Sequence, residues 1–261
     1  MAKQPLAFDE LVEEKRILTF IREAICAARS RGVVIGLSGG IDSAVVCALC
    51  KKAIGKHRVL GLLMPSNSTP AQDMEDAKRI ASLLGIRTKE VHISKVVDSL
   101  LLSLEDRGTR LARANLQART RMTILYFYAN ALDLLVAGTG DRSEAEIGFF
   151  TKFGDGGVDF LPIAHLYKTQ VRRLATHLDI PSDVISKPSS PQLWPGHKAT
   201  DEIPADYDIL DLILYYLLDA GFPVRETASK TGVGRNVVDR VLEMNRNSAH
   251  KRSLPPSLGK W

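Results

Sequence analysis

A chain of 261 residues, of which 45% are hydrophobic and 25% charged, has the composition of an ordinary globular protein with a sizeable core. The formal net charge of +5 suits an anionic partner but does not distinguish nucleic acid from a phosphate-rich small molecule. No apolar run reaches the length of a membrane span, and the first residues lack the apolar block of a signal peptide. We therefore expect a cytoplasmic protein without a membrane partner.

The cysteine pattern excludes a disulfide framework, since the chain has only Cys26, Cys47 and Cys50. All three are expected to be reduced and to lie in apolar helical surroundings. Cys47 and Cys50 have the spacing of a metal or iron–sulfur ligand pair, but no further Cys or His stands near them in the sequence. Burial as small hydrophobic side chains is the favoured interpretation.

The first half of the chain alternates helical and strand patterns. An amphipathic helix over residues 8–30 precedes a short β-branched strand at 33–37, and an apolar helix follows it. The elements expected next are a strand at 58–64, a helix at 70–84, a strand at 88–93, helices at 95–104 and 111–131, and a strand at 134–138. This alternation predicts an α/β fold with a parallel sheet flanked by helices on both faces. Ligands of such sheets gather beyond the carboxyl ends of the strands.

The C-terminal part is predicted to be helical over residues 207–245. Residues 228–238 have the pattern of a DNA-binding helix-turn-helix, with two helical segments joined by a glycine turn. The second helix, however, offers few side chains for base contact. We therefore expect no nucleic-acid partner. Residues 1–261 are predicted to form a single domain.

The loop between the first strand and the next helix, with the sequence Leu-Ser-Gly-Gly-Ile-Asp-Ser at 37–43, is the strongest functional signal. Such a turn aims several backbone N–H groups and the positive end of a helix dipole at one point, which favours phosphate. Ser38 and Ser43 add hydroxyl donors, and a carboxylate such as Asp42 beside phosphates makes sense mainly as a magnesium ligand. The loop predicts a magnesium–nucleotide site. The alternative is an ordinary turn with Ser and Asp as helix N-caps.

A second acid is expected at the same edge of the sheet. Residues 138–144 follow a buried strand, so Glu144 should face the crevice that holds Asp42. Two acids converging on phosphates are the usual magnesium arrangement, and Glu144 is the predicted second ligand. The alternative is that these acids simply begin a helix.

Two further loops are candidates for ligand contact. Residues 148–159 contain a Gly-Asp-Gly-Gly turn whose glycines permit a fold that brings Asp155 against a ligand, although Asp155 could instead only cap its turn. Residues 187–204 contain four prolines and are predicted to form a long loop, a candidate lid.

Several motifs together carry a family resemblance. The loop SGGIDSA resembles the SGGxDS signature of the PP-loop ATP pyrophosphatases, which split ATP between its α and β phosphates and adenylate a substrate oxygen. With NLQARTRM at 115–122, GTGDRSE at 138–144, FFTKFGDGGVD at 149–159 and HKR at 250–252, the chain resembles NAD synthetase from its first helix to its tail. The resemblance implies an adenine nucleotide alpha hydrolase-like, Rossmann-like fold.

The resemblance also implies a reaction. ATP, the co-substrate, adenylates the carboxylate of nicotinic acid adenine dinucleotide (deamido-NAD), and ammonia then displaces AMP to give NAD. A glutamine-using version would need a glutaminase domain with a nucleophilic Cys, which does not fit into this length, so free ammonia or ammonia from a separate subunit is expected. Mg²⁺ is the implied cofactor, and a homodimer is the implied assembly.

Site residues follow from the resemblance position by position. The implied ATP-binding residues are Leu37, Ser38, Gly39, Gly40, Ser43, Met64, Thr139 and Lys168. The implied magnesium ligands are Asp42 and Glu144, and the catalytic set is Asp42, Lys168 and Asp155. The implied contacts to the dinucleotide are Arg119, Tyr126, Lys152, Asp155, His250 and Lys251.

The chain departs from the family pattern at a few positions. Asp141 and Arg142 stand where relatives often carry Asn and Lys, which leaves the contacts of these two side chains open. His197, in the candidate lid, stands where many relatives have Gln and is expected to be solvent-exposed.

Two alternatives to this function remain from the sequence. A tRNA-modifying PP-loop enzyme is favoured by the basic charge and by Cys47 and Cys50, and it would bind tRNA with a steep salt dependence. A nucleotide-binding regulator without turnover is the other. The joint presence of Asp42, Glu144, Lys168 and the Gly-Asp-Gly-Gly turn is the feature that opposes it.

Overall fold

The computed structural model describes residues 5–105, 108–188 and 202–258. Four parallel strands form one sheet in the order β3-β2-β1-β4. The strands are β1 (Gly32–Gly36), β2 (Val59–Leu63), β3 (Arg87–Glu90) and β4 (Leu134–Val136). The predicted parallel sheet is confirmed.

Helices fill the connections between the strands and continue after them. The helices are α1 (Glu10–Ala27), α2 (Ile41–Ile54), α3 (Ala71–Leu84), α4 (Ser94–Leu102), α5 (Arg110–Leu132), α6 (Arg142–Ile147), α7 (Lys168–His177), α8 (Ser182–Ile185), α9 (Tyr207–Leu214), α10 (Val224–Thr231) and α11 (Arg235–Asn247). A π-helical turn, Tyr215–Asp219, continues α9. Within the described ranges, no helix combines the length and apolar character needed to cross a bilayer.

Both faces of the sheet are covered, as the alternating pattern predicts. Val33 and Ile35 point to a core shared with α1, α2 and α7, whereas Val34 between them packs with residues of α4 and α5 on the opposite face. Side chains of a strand alternate between faces, so an unbroken apolar strand such as β1 requires a covering layer on each side. The C-terminal helices α9, α10 and α11 form a further core that includes Ile147 of α6 and Tyr167.

The strand expected at 88–93 is shorter than predicted. β3 ends at Glu90, and all four of its residues are exposed because it lies at the edge of the sheet. The apolar residues that follow it continue the pairing only by single hydrogen bonds, from the Val91 amide to the Leu63 carbonyl and from the Ile93 amide to the Pro65 carbonyl. Ile93 is buried as the residue that leads into α4, and this burial explains the apolar pattern.

The cysteines fall into two environments. Cys47 and Cys50 are buried in α2, as expected, and burial raises the pKa of the Cys47 thiol to about 12. A thiol held in its neutral form is a poor metal ligand, which favours the packing interpretation. Cys26 is a free thiol in a helix, as expected, but it lies on the exposed side of α1 near the helix end and not in buried apolar surroundings.

The strand order determines where a ligand can bind. From β1 the chain continues to β2 and β3 on one side of β1, and it then returns to form β4 on the other side. Such a switch in strand order opens a crevice at the carboxyl ends of the strands. The loops at 37–40 and 137–141 follow β1 and β4 and therefore both border this crevice.

Candidate active site

A cleft of about 500 Å³ lies at the carboxyl ends of β1, β2 and β4. This volume lies within the range of sites for small molecules. The predicted site residues in its walls are Leu37, Ser38, Gly40, Asp42, Met64, Thr139, Glu144, Asp155 and Lys251. Side chains separated by more than 200 residues in the sequence therefore meet in one cavity.

The loop after β1 has the geometry of an anion-binding turn. Gly39 has a φ of +80°, and a Cβ at this position would lie 2.3 Å from the carbonyl oxygen of Asp73, so only glycine fits. The Ser43 hydroxyl donates to the Gly40 carbonyl at 2.9 Å and closes the turn. Gly40 is the N-cap of α2 and makes no side-chain capping bond. Asp42 lies two residues after this cap, inside the helix, so it is not the cap itself. Its carboxylate instead contacts the Lys168 ammonium.

That carboxylate belongs to a carboxylate–lysine cluster, which we define as Asp42, Asp141, Glu144 and Lys168. The Lys168 ammonium lies 2.8 Å from Asp42 Oδ2, 2.8 Å from Asp141 Oδ2 and 3.0 Å from Glu144 Oε1. Lys168 and Asp141 are fully buried, whereas the side chains of Asp42 and Glu144 are 21% and 22% exposed. The two partly exposed acids face the cleft, and the buried pair lies behind them.

The electrostatics of the cluster are dominated by burial and by three acids around one base. Burial raises the pKa of the Asp141 carboxyl to about 6, an effect that Lys168 opposes and Asp42 reinforces. Burial likewise raises the pKa of Glu144 well above its usual value. Burial alone would lower the pKa of Lys168, but the three carboxylates outweigh it and the net pKa is raised. The lysine therefore stays cationic at neutral pH, and it is the single positive charge among three acidic side chains.

This arrangement fits a divalent cation. Asp42 Oδ1 is buried and has no hydrogen-bond partner among the residues that the structure describes, so it is an orphaned oxygen beside the cleft. Over the same ranges, no group of three or more His, Cys, Asp or Glu side chains is arranged to hold a metal. Mg²⁺ commonly takes one or two carboxylates and completes its coordination with water and phosphate oxygens. Asp42 and Glu144 provide such a pair.

The Gly-Asp-Gly-Gly turn forms the opposite wall. Asp155 Oδ1 accepts the Thr151 amide at 2.9 Å, so Asp155 does cap its turn, and the residue is also exposed to the cleft. Surrounding protein atoms raise the pKa of Asp155, which the backbone hydrogen bond from Thr151 partly offsets. Nearby, the Lys251 ammonium donates to the carbonyls of Gly148 and Phe150 at 2.8 and 2.9 Å. Desolvation lowers the pKa of Lys251, although Asp155 counteracts it.

Several residues in the walls are not predicted from the sequence, and Arg121 is the most informative of them. Its Nε donates to the Met64 carbonyl at 3.0 Å, and burial lowers its pKa to about 10 while Asp155 raises it. Asn115 and Thr151 form another unpredicted pair, with the Thr151 hydroxyl donating to Asn115 Oδ1 at 2.7 Å. The sequence signal that could have found these residues is helical spacing. One face of α5 lines the cleft, and its residues recur every three or four positions: Leu111, Asn115, Ala118, Met122 and Leu125.

The other predicted contacts lie outside these walls. Arg119 is exposed and donates to the Lys152 carbonyl at 3.3 Å, and the Lys152 ammonium donates to the His250 carbonyl at 2.5 Å, so these three residues form one chain of contacts. The Tyr126 hydroxyl donates to Asp159 Oδ1 at 3.0 Å. Gly39, Ser43 and Lys168 support the walls from behind.

The structure also gives contacts to the two residues that the sequence leaves open. Asp141 caps α6 by accepting the Glu144 amide at 2.8 Å and pairs with Lys168. Arg142 pairs with Asp219 and lies over the Tyr167 ring, 4.6 Å from its centroid. Both therefore brace the site. His197 and most of the candidate lid, residues 189–201, lie outside the described residues.

Comparisons with known proteins agree with this geometry. The family model described as NAD synthase matches residues 13–255. An NH(3)-dependent NAD(+) synthetase from Hyperthermus butylicus is 52% identical over 244 residues, 93% of this chain and 88% of the relative. The structure of an NMN synthetase from Francisella tularensis superposes with a TM-score of 0.86 at 33% identity, covering 96% of this chain and 99% of the other. That of an NH3-dependent NAD synthetase from Campylobacter jejuni, in complex with the nitrate ion, gives 0.83 at 30% identity and covers 97% and 100%.

Proposed function

Because the chain belongs to the NAD synthase family, we propose that it amidates nicotinic acid adenine dinucleotide to NAD with ATP and ammonia. The observation that carries this proposal is the meeting, in one cleft, of a phosphate-type loop, two cleft-facing carboxylates and the Asp155 turn. The activity makes the chain a ligase that forms a carbon–nitrogen bond.

The loop after β1 and the carboxylate–lysine cluster serve the first half-reaction. The nicotinate carboxylate oxygen attacks the α-phosphorus of ATP, the bond to the bridging oxygen breaks, and pyrophosphate leaves. Leu37, Met64 and Thr139 line the ATP end of the cleft, and the amides and hydroxyls around Gly40 and Ser38 hold the departing phosphates. Mg²⁺ held by Asp42 and Glu144 would supply charge neutralisation for the leaving group.

Lys168 has a position suited to electrostatic support. Its ammonium joins the two proposed magnesium ligands from behind, so it fixes both carboxylates relative to each other. Fixed charges aimed at developing negative charge stabilise a transition state without reorganisation during the reaction. Lys168 thus keeps the acids in place while ATP enters.

Asp155 serves the second half-reaction. Ammonia attacks the acyl carbon of the adenylate, AMP leaves with the electron pair of the carbon–oxygen bond, and the new nitrogen gives up a proton. Asp155 faces the cleft, and surrounding protein atoms raise the pKa of its carboxyl, which makes it a stronger proton acceptor than an ordinary aspartate. The cleft brings the two anionic substrates together, and such positioning is a large part of catalysis.

The chain of contacts through Arg119, Lys152 and His250 provides the outer part of the dinucleotide site in this proposal. Two cationic side chains there, together with Tyr126 on the same side of α5, suit the pyrophosphate and ribose of a substrate longer than the cleft. Lys251 connects this region to the Asp155 turn.

We also propose a cytoplasmic homodimer. Helices α4 and α5 leave large apolar side chains exposed, among them Leu100, Leu102 and Phe127. Exposed apolar side chains concentrated on neighbouring elements are typical of a protein–protein interface. Light scattering should therefore give twice the chain mass of 28.7 kDa, and a monomer at micromolar concentration would contradict the assembly. A cytoplasmic location suits a reaction that consumes ATP.

The resemblance to an NMN synthetase supports a second candidate substrate. That activity would act on nicotinic acid mononucleotide and would not need the outer contacts. The dinucleotide is favoured because Arg119, Lys152 and His250 extend the site beyond the cleft. The ratio of kcat/KM for the two acids distinguishes the candidates.

The direct test combines the protein with ATP, Mg²⁺, ammonium and either acid substrate, and follows pyrophosphate, AMP and amide product. We expect equal amounts of NAD, AMP and pyrophosphate from the dinucleotide, with a higher kcat/KM than for the mononucleotide. Release of pyrophosphate without NAD would contradict the proposal. Product formation from the mononucleotide alone would replace it with the second candidate.

A further inference from the structure

We propose that Asp211, a residue of α9 in the C-terminal helical part, is a positioning residue that holds Lys168 in the carboxylate–lysine cluster. Asp211 is fully buried and lies outside the cleft. A buried carboxylate far from water is costly unless its oxygens are fully used in hydrogen bonds. The identity of its partners therefore indicates what it is for.

Within the described ranges, every hydrogen-bond partner of the Asp211 carboxylate belongs to one of the two segments that carry the cluster. Oδ1 accepts the hydroxyl of Ser143 at 2.5 Å, and Oδ2 accepts both the amide and the hydroxyl of Thr169, at 2.8 and 2.7 Å. Ser143 precedes Glu144 in α6, and Thr169 follows Lys168 in α7. One carboxylate thus joins the backbone neighbours of two cluster members.

The same contacts cap α7 from outside the helix. The first amides of a helix have no backbone partner within it, and at α7 these include the amides of Lys168 and Thr169. The Lys168 amide donates to the Ser143 hydroxyl oxygen at 2.9 Å, and the Thr169 amide donates to Asp211. A negative charge at a helix N-terminus is also favoured by the helix dipole. Gln170 of α7 itself accepts the amide of the N-cap residue Tyr167 at 2.9 Å, whereas Asp211 and Ser143 hold the next two amides, at the lysine where α7 begins.

This contact pattern explains how a C-terminal helix can act on a site built by the sheet. Lys168 enters the cluster with its side chain, but its backbone is held by α6 and, through Thr169, by α9. If Asp211 loses one oxygen acceptor, α7 can shift relative to α6, and the distance between Lys168 and Glu144 is no longer fixed. Misplacement by about 1 Å far from the reacting atoms can cost roughly 100-fold in rate.

The test compares four variants in the steady-state assay of the full-length protein: D211N, S143A, their combination, and E14Q as the matched control. Glu14 is also a buried carboxylate, and it contacts the other end of α7 through His177 at 2.8 Å, remote from the cluster. Melting curves define a temperature at which all variants are folded. The Ser143 substitution keeps the bond between Asp211 and Thr169, so it remains informative if the Asp211 variant does not fold.

We expect D211N and S143A each to lower kcat by roughly 10- to 100-fold, because the loss falls on positioning in the transition state. The KM for ATP should change little, E14Q should keep its kcat, and the double variant should lose much less than the product of the single losses. A kcat for D211N within about twofold of that for E14Q would overturn the inference. A loss of kcat in the double variant equal to the product of the two single losses would overturn it as well.

The inference rests on the proposed function only because its test measures the turnover of that reaction. Failure of the wild-type protein to form product contradicts the function, whereas the ratios among active variants decide the role of Asp211.

Discussion

Replacing Asp42 with asparagine should lower kcat by roughly 100- to 1,000-fold and raise the Mg²⁺ concentration needed for half-maximal activity. Asparagine keeps the size of the side chain but removes the charge that a magnesium ion requires. The orphaned Oδ1 atom of Asp42 is the specific observation behind this expectation, because a buried carboxylate oxygen without a hydrogen-bond donor needs some other positive partner. Steady-state kinetics over a magnesium titration measures both effects.

The fold should survive this substitution. Lys168 keeps its fully buried partner Asp141 at 2.8 Å and Glu144 at 3.0 Å, so no buried charge is left unpaired. The matched control is D208N, which removes a surface carboxylate paired with Arg172 at 3.1 Å and should leave kcat and the magnesium requirement unchanged. Normal turnover with an unchanged magnesium requirement in D42N would remove Asp42 from the metal site.

The parts of the fold that the sequence predicts best are those governed by local pattern. β1 and β2 are recognisable because they are apolar on both faces and end in glycine or proline, and the observed bounds differ from the predicted ones by one residue at each end. The edge strand β3 is different, since its length depends on how far β2 offers partners. The exposure of Cys26 likewise depends on the fold, because apolar neighbours in the sequence do not tell which side of α1 faces solvent.

The residues of the candidate site also divide into those that local sequence predicts and those that only the fold brings together. Asp42 and Glu144 are predictable because each follows a strand in a parallel sheet, and such positions converge. The buried ion pair of Asp141 with Lys168 is not predictable in this way, since only the fold brings the start of α7 to the start of α6. Arg119 and Arg121 illustrate a finer limit. They lie about 200° apart around α5, given 3.6 residues per turn, so one lines the cleft and the other does not.

The contribution of the C-terminal helices is the part least visible in the sequence. Asp211 and Asp219 look like ordinary polar residues at helical spacing. In the structure, Asp211 holds the start of α7, and Asp219, in the π-helical turn, pairs with Arg142 and accepts the Tyr167 hydroxyl at 3.1 Å. Contacts across such sequence distances depend on packing that no local pattern encodes. These contacts therefore connect the C-terminal helices to the segments that carry the site.

Replacing Lys168 with methionine should both abolish turnover and destabilise the fold. The lysine side chain is fully buried, and its removal leaves three carboxylates facing one another without a cation. Removal of one partner from a buried ion pair typically costs about 3–5 kcal/mol. For a chain of this size we expect the melting temperature to fall by roughly 10 °C near pH 8.

The loss of stability in K168M should shrink as the pH falls, which distinguishes charge repulsion from lost packing. Carboxyls whose folded-state pKa is raised bind more protons in the folded than in the unfolded chain, so their effect on stability is unfavourable at high pH and is relieved as pH falls. The pKa of Asp141 is already about 6 with the lysine present, and without it the carboxyl should protonate at still higher pH. The difference in melting temperature from wild type should therefore be smaller at pH 5 than at pH 8. Adding E144Q to K168M should recover stability at pH 8, because it removes one of the repelling charges, but it should not restore turnover. A loss of stability that is the same at both pH values and that E144Q does not relieve would contradict this prediction. It would show that packing alone sets the stability of this cluster.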